Sequence, residues 1–203
     1  MTRIAIVDYG MGNIRSVLNA LKEVQAEGEL VSDPSDIARR GKLILPGVGA
    51  FGEAMRNLRH DGIDSALEDA RRAGALILGI CLGMQLLLSS SEEGGTHAGL
   101  DWIRGRVQRF PDRRELRVPH MGWNELRFRH EHPLTKDVAD RSDVYFLHSY
   151  YCACDEPGDV LATSSHGLEF AAMLARDNVL GIQFHPEKSQ QPGIAMLRNF
   201  ARL

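Results

Sequence analysis

The chain has 203 residues, 43% of them hydrophobic and 25% charged, with a formal net charge of -3 at pH 7. This length and balance suit one soluble domain spanning residues 1–203 with a single sizeable core, and the mild acidity argues against nucleic acid as a partner. The longest apolar run, Gly74 to Leu88, is too short to span a bilayer, and Met1-Thr2-Arg3 leads straight into a strand with no signal peptide.

In chain order, Ile4 to Val7 reads as a buried strand and Asn13 to Glu27 as a helix with Val17, Leu18, Leu21 and Val24 on one face. Glu29 to Val31 is a second strand. Asp33-Pro34-Ser35-Asp36 carries helix-start chemistry and leads to the strand Lys42 to Leu45. Ala50 to Leu58 and Ile63 to Arg72 are helices, and Ala75 to Leu78 is the next strand. Such alternation predicts an α/β fold, a mostly parallel central sheet covered by helices on both faces, with its site at the C-terminal strand edges. After Gly94-Gly95 the pattern changes to short strands at Trp102 to Phe110, Glu125 to Arg129, Val144 to Tyr150, Val160 to Ser164 and Phe170 to Ala175, a more antiparallel second half. Gly193 to Leu203 closes as a helix. The basic cluster Arg104, Arg106, Arg109, Arg113, Arg114 and Arg117 is interleaved with Asp112 and Glu115 and reads as a solvated hairpin.

Three motifs carry chemistry. Gly79-Ile80-Cys81-Leu82-Gly83 ends an apolar run in a cysteine between glycines and then turns helical, the pattern of a nucleophile elbow with sulfur in place of hydroxyl. An isolated cysteine reads as structural; this frame makes Cys81 a nucleophile, its thiolate favoured by the N-terminus of the following helix. Among eight histidines, His185 stands at the end of Val179 to Phe184 and precedes Pro186-Glu187, so a strand delivers an imidazole to its edge with a carboxylate to orient it. Leu43 to Leu45 opens into Pro46-Gly47-Val48-Gly49, a turn of bare amides. Val48 and Leu82 are the expected oxyanion donors.

Other patterns fall short. Gly10-Met11-Gly12-Asn13 has Arg15 where a dinucleotide fingerprint needs its third glycine. His130-Glu131-His132 reads as a surface loop, and Cys152 and Cys154 lack a second pair of metal ligands. Three cysteines without a disulfide framework fit a reducing cytoplasm, and no metal or cofactor is called for.

With these pieces, Pro46-Gly47-Val48-Gly49, Gly79 to Gln85 and His185-Pro186-Glu187, the chain resembles the class I glutamine amidotransferases, flavodoxin-like in fold, over essentially its whole length. Asp8 to Asn13, Val118 to Asn124 and Tyr145 to Tyr150 resemble, within them, the glutaminase subunits of imidazole glycerol phosphate synthase. The resemblance implies a Cys81, His185, Glu187 triad and glutamine binding by Gly49, Gln85 and Ser149. It further implies a heterodimer with a (β/α)8-barrel cyclase that uses the ammonia, with Asn13, His120, Trp123, Tyr145, His148 and Lys188 at or near the interface. Alternatives are an amidotransferase serving another acceptor, such as surface-polysaccharide synthesis, a stand-alone γ-glutamyl hydrolase, and a catalytically silent binding module.

Overall fold

The apolar runs of the first half become neighbours in one sheet. The computed structural model describes residues 3–113 and 115–203; Met1, Thr2 and Arg114 lie outside them. Its elements are β1 (Arg3–Val7), α1 (Ile14–Glu23), β2 (Glu27–Val31), α2 (Pro34–Ile37), β3 (Lys42–Leu45), α3 (Phe51–His60), α4 (Ile63–Arg72), β4 (Leu76–Ile80), α5 (Leu82–Leu86), β5 (Leu88–Ser91), β6 (His97–Ala98) and β7 (Ile103–Arg109). They continue with β8 (His120–Glu125), β9 (Arg127–Phe128), β10 (Asp143–His148), β11 (Tyr150–Cys154), β12 (Val160–Ser165), β13 (Glu169–Arg176), β14 (Val179–Ile182) and α6 (Gln190–Arg202). The main sheet runs β2-β1-β3-β4-β14-β13-β11-β7-β5-β6, and β8 and β10 form a separate ribbon. Strands β2, β1, β3, β4 and β14 are mutually parallel, whereas β13, β11 and β7 alternate direction beside them.

The period-two alternation of a strand sends side chains to opposite faces, and two cores follow from it. Ile4, Ile6, Ile44 and Leu78 pack with Val17 and Leu21 of α1 and Leu197 and Phe200 of α6. Ala5, Val7, Leu43, Leu45 and Ile77 pack on the other side with Met55 and Leu58 of α3 and Leu67 of α4. Helices therefore cover both faces, as expected. Among the described residues no helix is long and apolar enough to cross a membrane.

The departures from expectation have local causes. The first helix ends at Glu23 rather than Glu27, because Gln25 takes φ 60° and Ala26 N–H bonds back to Leu21 O at 3.0 Å, releasing Glu27 to pair with Arg3. Val144 to Tyr150 is two strands, since the chain leaves the ribbon at Ser149 and joins the main sheet with β11. Glu125 to Arg129 holds the end of one strand and the short β9; the ribbon strand β8, which ends at Glu125, is hidden in the sequence by Gly122 and Asn124. Arg104, Arg106, Arg109, Arg113 and Arg117 are exposed, as expected, but the described residues around them do not pair as a hairpin: β7 pairs with β5 and β11, and the following strand β8 pairs with β10.

The ribbon has two unlike faces. Met121, Trp123 and Leu147 are exposed on one, and Trp123 packs edge-on against Tyr145. His120, Phe146 and His148 point inward against Phe110 and Phe170. His120, expected at an interface, is thus 5% exposed, the strand's alternation turning it under the ribbon. Burial, reinforced for His120 by the neighbouring His166 charge, lowers it to about 4. Burial likewise takes His148 to about 3, against the opposing pull of its bond to the Tyr150 carbonyl.

Two outcomes follow from this packing. A Cβ on Gly83 would lie 1.8 Å from Leu45 O, whereas one on Gly41 would meet nothing within 4 Å. Gly83→Ala is expected to cost roughly 3 kcal/mol or more in urea unfolding, and Gly41→Ala less than about 1 kcal/mol; equal effects would contradict the packing. Second, the unfolded chain protonates His120 and His148 near 6.5, while the folded chain keeps them neutral down to about 4 and about 3. Their stabilisation is therefore full above 6.5, falls away as the unfolded chain takes up protons below that value, and is wholly lost once the pH has passed through the folded values. Unfolding free energy should drop by roughly 2 to 4 kcal/mol between pH 7 and 5, and His148→Gln should remove about half of that slope. An unchanged slope in the variant would show that His148 is not held neutral.

Candidate active site

Three adjacent parallel strands end at one edge, because Leu45 of β3 pairs with Gly79 of β4, and Ile80 of β4 with Ile182 of β14. The turn after β3 carries Val48, β4 leads into Cys81, and β14 leads through Gln183 and Phe184 to His185. Cys81 sits at φ 54°, ψ -111°, a strained conformation for a residue with a Cβ. Its N–H bonds Ile182 O at 2.7 Å and its carbonyl accepts from Met84 N–H at 3.1 Å, so the neighbouring strand and helix hold the strain. The expected helix after Cys81 has only five residues. Its contribution to a negative sulfur is therefore local N–H groups rather than a long helix dipole.

The glycines of the elbow serve close approach. A Cβ on Gly79 would meet Gly83 O at 2.6 Å, and one on Gly47 would meet the Tyr9 hydroxyl at 2.7 Å and Leu82 Cβ at 2.8 Å. Tyr9 is buried, and its hydroxyl donates to Pro46 O at 2.7 Å, fixing the start of the turn. Beyond that anchor, Gly49 takes φ 101°. Among the described residues neither Val48 N–H nor Leu82 N–H has an acceptor, so two donors are left for a ligand.

His185 is 4% exposed, and its Nδ1 lies 2.9 Å from Glu187 Oε1, leaving Nε2 for the thiol. Pro186 begins the short 3-10 turn Pro186–Lys188 that brings Glu187 back to the ring. Burial by itself lowers the imidazole, but hydrogen bonding with Cys81 and Glu187 and the charges on both outweigh it and carry His185 up to about 10. The thiol itself is turned toward Leu147 O at 3.9 Å.

A cavity of about 360 Å³ opens over these groups and is lined by Val48, Gly49, Cys81, Leu82, Gln85 and His185. Ser149, Asn13, Lys188 and His148 also face it. Trp123 and Tyr145 lie on the neighbouring ribbon face instead, with Lys188 Nζ 5.9 Å from the Tyr145 ring centroid. Two lining or flanking groups escape a reading of the sequence. Glu93 lies in a polar Ser-Glu-Glu-Gly-Gly loop that looks merely solvated, yet it reaches the cavity and accepts from Phe51 N–H at 2.8 Å. Gln183 is fully buried beside Cys81, and its signal was a single polar residue inside an apolar strand.

The arrangement suits attack by sulfur on an amide of an amino-acid-sized ligand, with an acid-base imidazole and two unpaired amides among the residues lining the cavity. Comparisons with known proteins agree. Residues 5–203 match the family described as glutamine amidotransferase class-I. The chain is 47% identical over 203 residues to the imidazole glycerol phosphate synthase subunit HisH of Moorella thermoacetica, covering 100% of this chain and 96% of that one. It is 48% identical over 202 residues to the subunit of the same name from Methanosarcina barkeri, covering 98% of each. Among solved structures, a glutamine amidotransferase crystal structure superposes with a TM-score of 0.75 at 20% identity, covering 98% of this chain and 99% of the other. PurLQS from Thermotoga maritima gives 0.75 at 18% identity over 98% of this chain and 97% of its counterpart, so the fold is shared well beyond close relatives. The chain belongs to the class-I glutamine amidotransferase family, among the HisH subunits of imidazole glycerol phosphate synthase.

Proposed function

We propose that residues 1–203 act as one glutaminase domain that hydrolyses the side-chain amide of glutamine at Cys81 and passes ammonia to a separate cyclase subunit. The observation that carries this reading is the meeting of Cys81, the His185–Glu187 pair and two unpaired amides at the ends of three adjacent strands. Cys81 gives its proton to His185 Nε2 and attacks the carboxamide carbon, while Val48 and Leu82 N–H groups receive the oxyanion. His185 then protonates the departing nitrogen, the C–N bond breaks, and ammonia leaves a thioester. Water, losing its proton to His185, attacks that carbon; the C–S bond breaks and glutamate is released. Glutamine is held by Gly49, Gln85 and the Ser149 turn, and the Glu93 carboxylate offers a partner for its α-ammonium.

Ammonia is useful only while neutral, so its consumer must sit close to its source. The exposed apolar residues Val48, Met121, Trp123 and Leu147 support a docking surface beside the cavity. Its occupant in this reading is a (β/α)8-barrel cyclase in a heterodimer, converting PRFAR to imidazole glycerol phosphate and AICAR in histidine biosynthesis. Asn13 and Lys188 line the cavity and Tyr145 stands beside Lys188 on the ribbon, which supports a part for all three in docking. A cytoplasmic location is supported by the three unpaired cysteines.

Cys81→Ala is expected to lower glutamine-dependent synthesis by the complex roughly a thousandfold or more while leaving ammonia-dependent synthesis intact. Residual glutaminase turnover near the parent level would reject Cys81 as nucleophile. The purified chain alone should be a slow glutaminase, accelerated by about two to three powers of ten with cyclase and an acceptor analogue, the size of one oxyanion donor gained. Full activity of the isolated chain would instead favour the stand-alone hydrolase.

A further inference from the structure

Gln183 lies outside the triad, yet it is completely buried and next to the nucleophile. A buried carboxamide needs its donors and acceptor answered, and the surrounding bonds determine which way it faces. The fixed point is the Tyr150 carbonyl, a group that can only accept. It takes His148 Nδ1–H at 2.8 Å and the Gln85 side-chain N–H at 3.0 Å. Gln85 therefore turns its NH2 group toward Tyr150, and the same group donates to Gln183 Oε1 at 3.1 Å. With its oxygen committed, Gln183 turns its own NH2 toward Cys81 Sγ, 4.0 Å away. Two side-chain amides are thus oriented by one backbone oxygen.

His148 belongs to the same set. Its Nδ1 must carry the proton it gives to Tyr150, so its Nε2 accepts from His120 Nδ1–H at 3.2 Å, and His120 Nε2 accepts from Asn124 at 3.2 Å. Among the described residues no carboxylate bonds to these side chains. The neutral rings and amides have a single self-consistent arrangement, and in it sulfur receives a donor.

We propose that Gln183 is a catalytic residue whose side-chain N–H donates to the Cys81 sulfur whenever that atom carries negative charge. The proposal rests on Cys81 as the glutaminase nucleophile. Sulfur is negative twice in the cycle: as the thiolate before attack, and again as the leaving group when the C–S bond of the thioester breaks and its electron pair returns to sulfur. His185 then returns the proton to sulfur. Val48 and Leu82 serve the oxygen, so a donor to sulfur acts on a different atom and a different step. The separation of 4.0 Å is that of the sulfur while it is turned toward Leu147 O; bonds to an ionised acceptor are shorter, and catalytic contacts tighten in the reacting complex.

The test compares Gln183→Met and Gln183→Glu with the parent, using iodoacetamide labelling of Cys81 in the full chain and glutamine turnover in the cyclase complex. Gln183→Met keeps the volume and loses the donor. Labelling at pH 7.5 should slow by about tenfold or more and kcat should fall about 10- to 100-fold, with KM for glutamine within about threefold of the parent. Gln183→Glu keeps the acceptor for Gln85 but turns a carboxylate toward sulfur. Its activity relative to the parent should be poorest at pH 8 and recover as the pH falls to 6, where protonation restores an O–H donor. Methionine-variant rates within twofold of the parent, a raised KM with unchanged kcat, or a pH-independent ratio for Gln183→Glu would each overturn the proposal. If Gln183→Met does not fold, the pH ratio of Gln183→Glu decides. A parent chain that neither labels at Cys81 nor hydrolyses glutamine would instead sink the glutaminase reading, and this inference with it.

Discussion

The carbonyl oxygen of Leu45 occupies the space that a side chain at position 83 would fill, 1.8 Å from where its Cβ would be. That contact lets the end of β3 lie directly against the start of α5, and the site depends on it. With a larger residue at position 83, the Pro46 to Gly49 turn would stand off from the elbow, and Val48 and Leu82 would no longer line one cavity. The glycine frame around Cys81 is therefore a condition on packing between two strands and a helix. The strain of the elbow itself is carried by Cys81 at φ 54°, held by its N–H donating to Ile182 O and by its carbonyl accepting from Met84 and Gln85 N–H.

Burial treats two neighbouring histidines alike, and their partners separate them. His148 faces a carbonyl and other imidazoles, so desolvation dominates and it stays neutral at physiological pH. His185 is as deeply buried but faces Glu187 and Cys81, and their charges and hydrogen bonds reverse the direction. Its own charge also contributes to keeping His148 neutral. Cys81 and Glu187 thus separate the imidazole that faces them from the fixed structural network around His148.

Much of this was legible in the sequence, because short-range patterns encode it. Lys42 to Leu45 and Ile63 to Arg72 have the expected boundaries, since a turn signal bounds the strand and apolar spacing marks the helix. Cys81 and His185 stood out because their glycine and proline neighbours mark abrupt backbone changes. The pairing of β7 with β11 across the chain was not legible, and neither was the ribbon, because Gly122 and Asn124 interrupt the alternation that defines a strand. His120 shows the limit clearly: a motif can locate a segment, but one step of strand alternation decides whether the side chain faces a partner or the core. Glu93 is joined to Phe51 across 42 residues of sequence, a distance over which local pattern carries no information.

The ribbon strand β10 touches both halves of the nucleophile-base pair with alternate carbonyls. Tyr145 O accepts from His185 N–H at 2.9 Å, and Leu147 O lies 3.9 Å from the Cys81 sulfur. Tyr145 N–H is in turn held by Ser189, whose hydroxyl bonds His185 O at 2.6 Å, so β10 and the segment carrying the base are tied at two points. The side chains of Tyr145 and Leu147 emerge on the opposite, outer face beside Trp123 and Met121. A body resting on that face presses on the residues whose backbone holds the base and faces the thiol. No long relay separates that face from the chemistry: the thickness of one strand lies between them, and a small shift of β10 would change the position of His185 and the environment of Cys81 together.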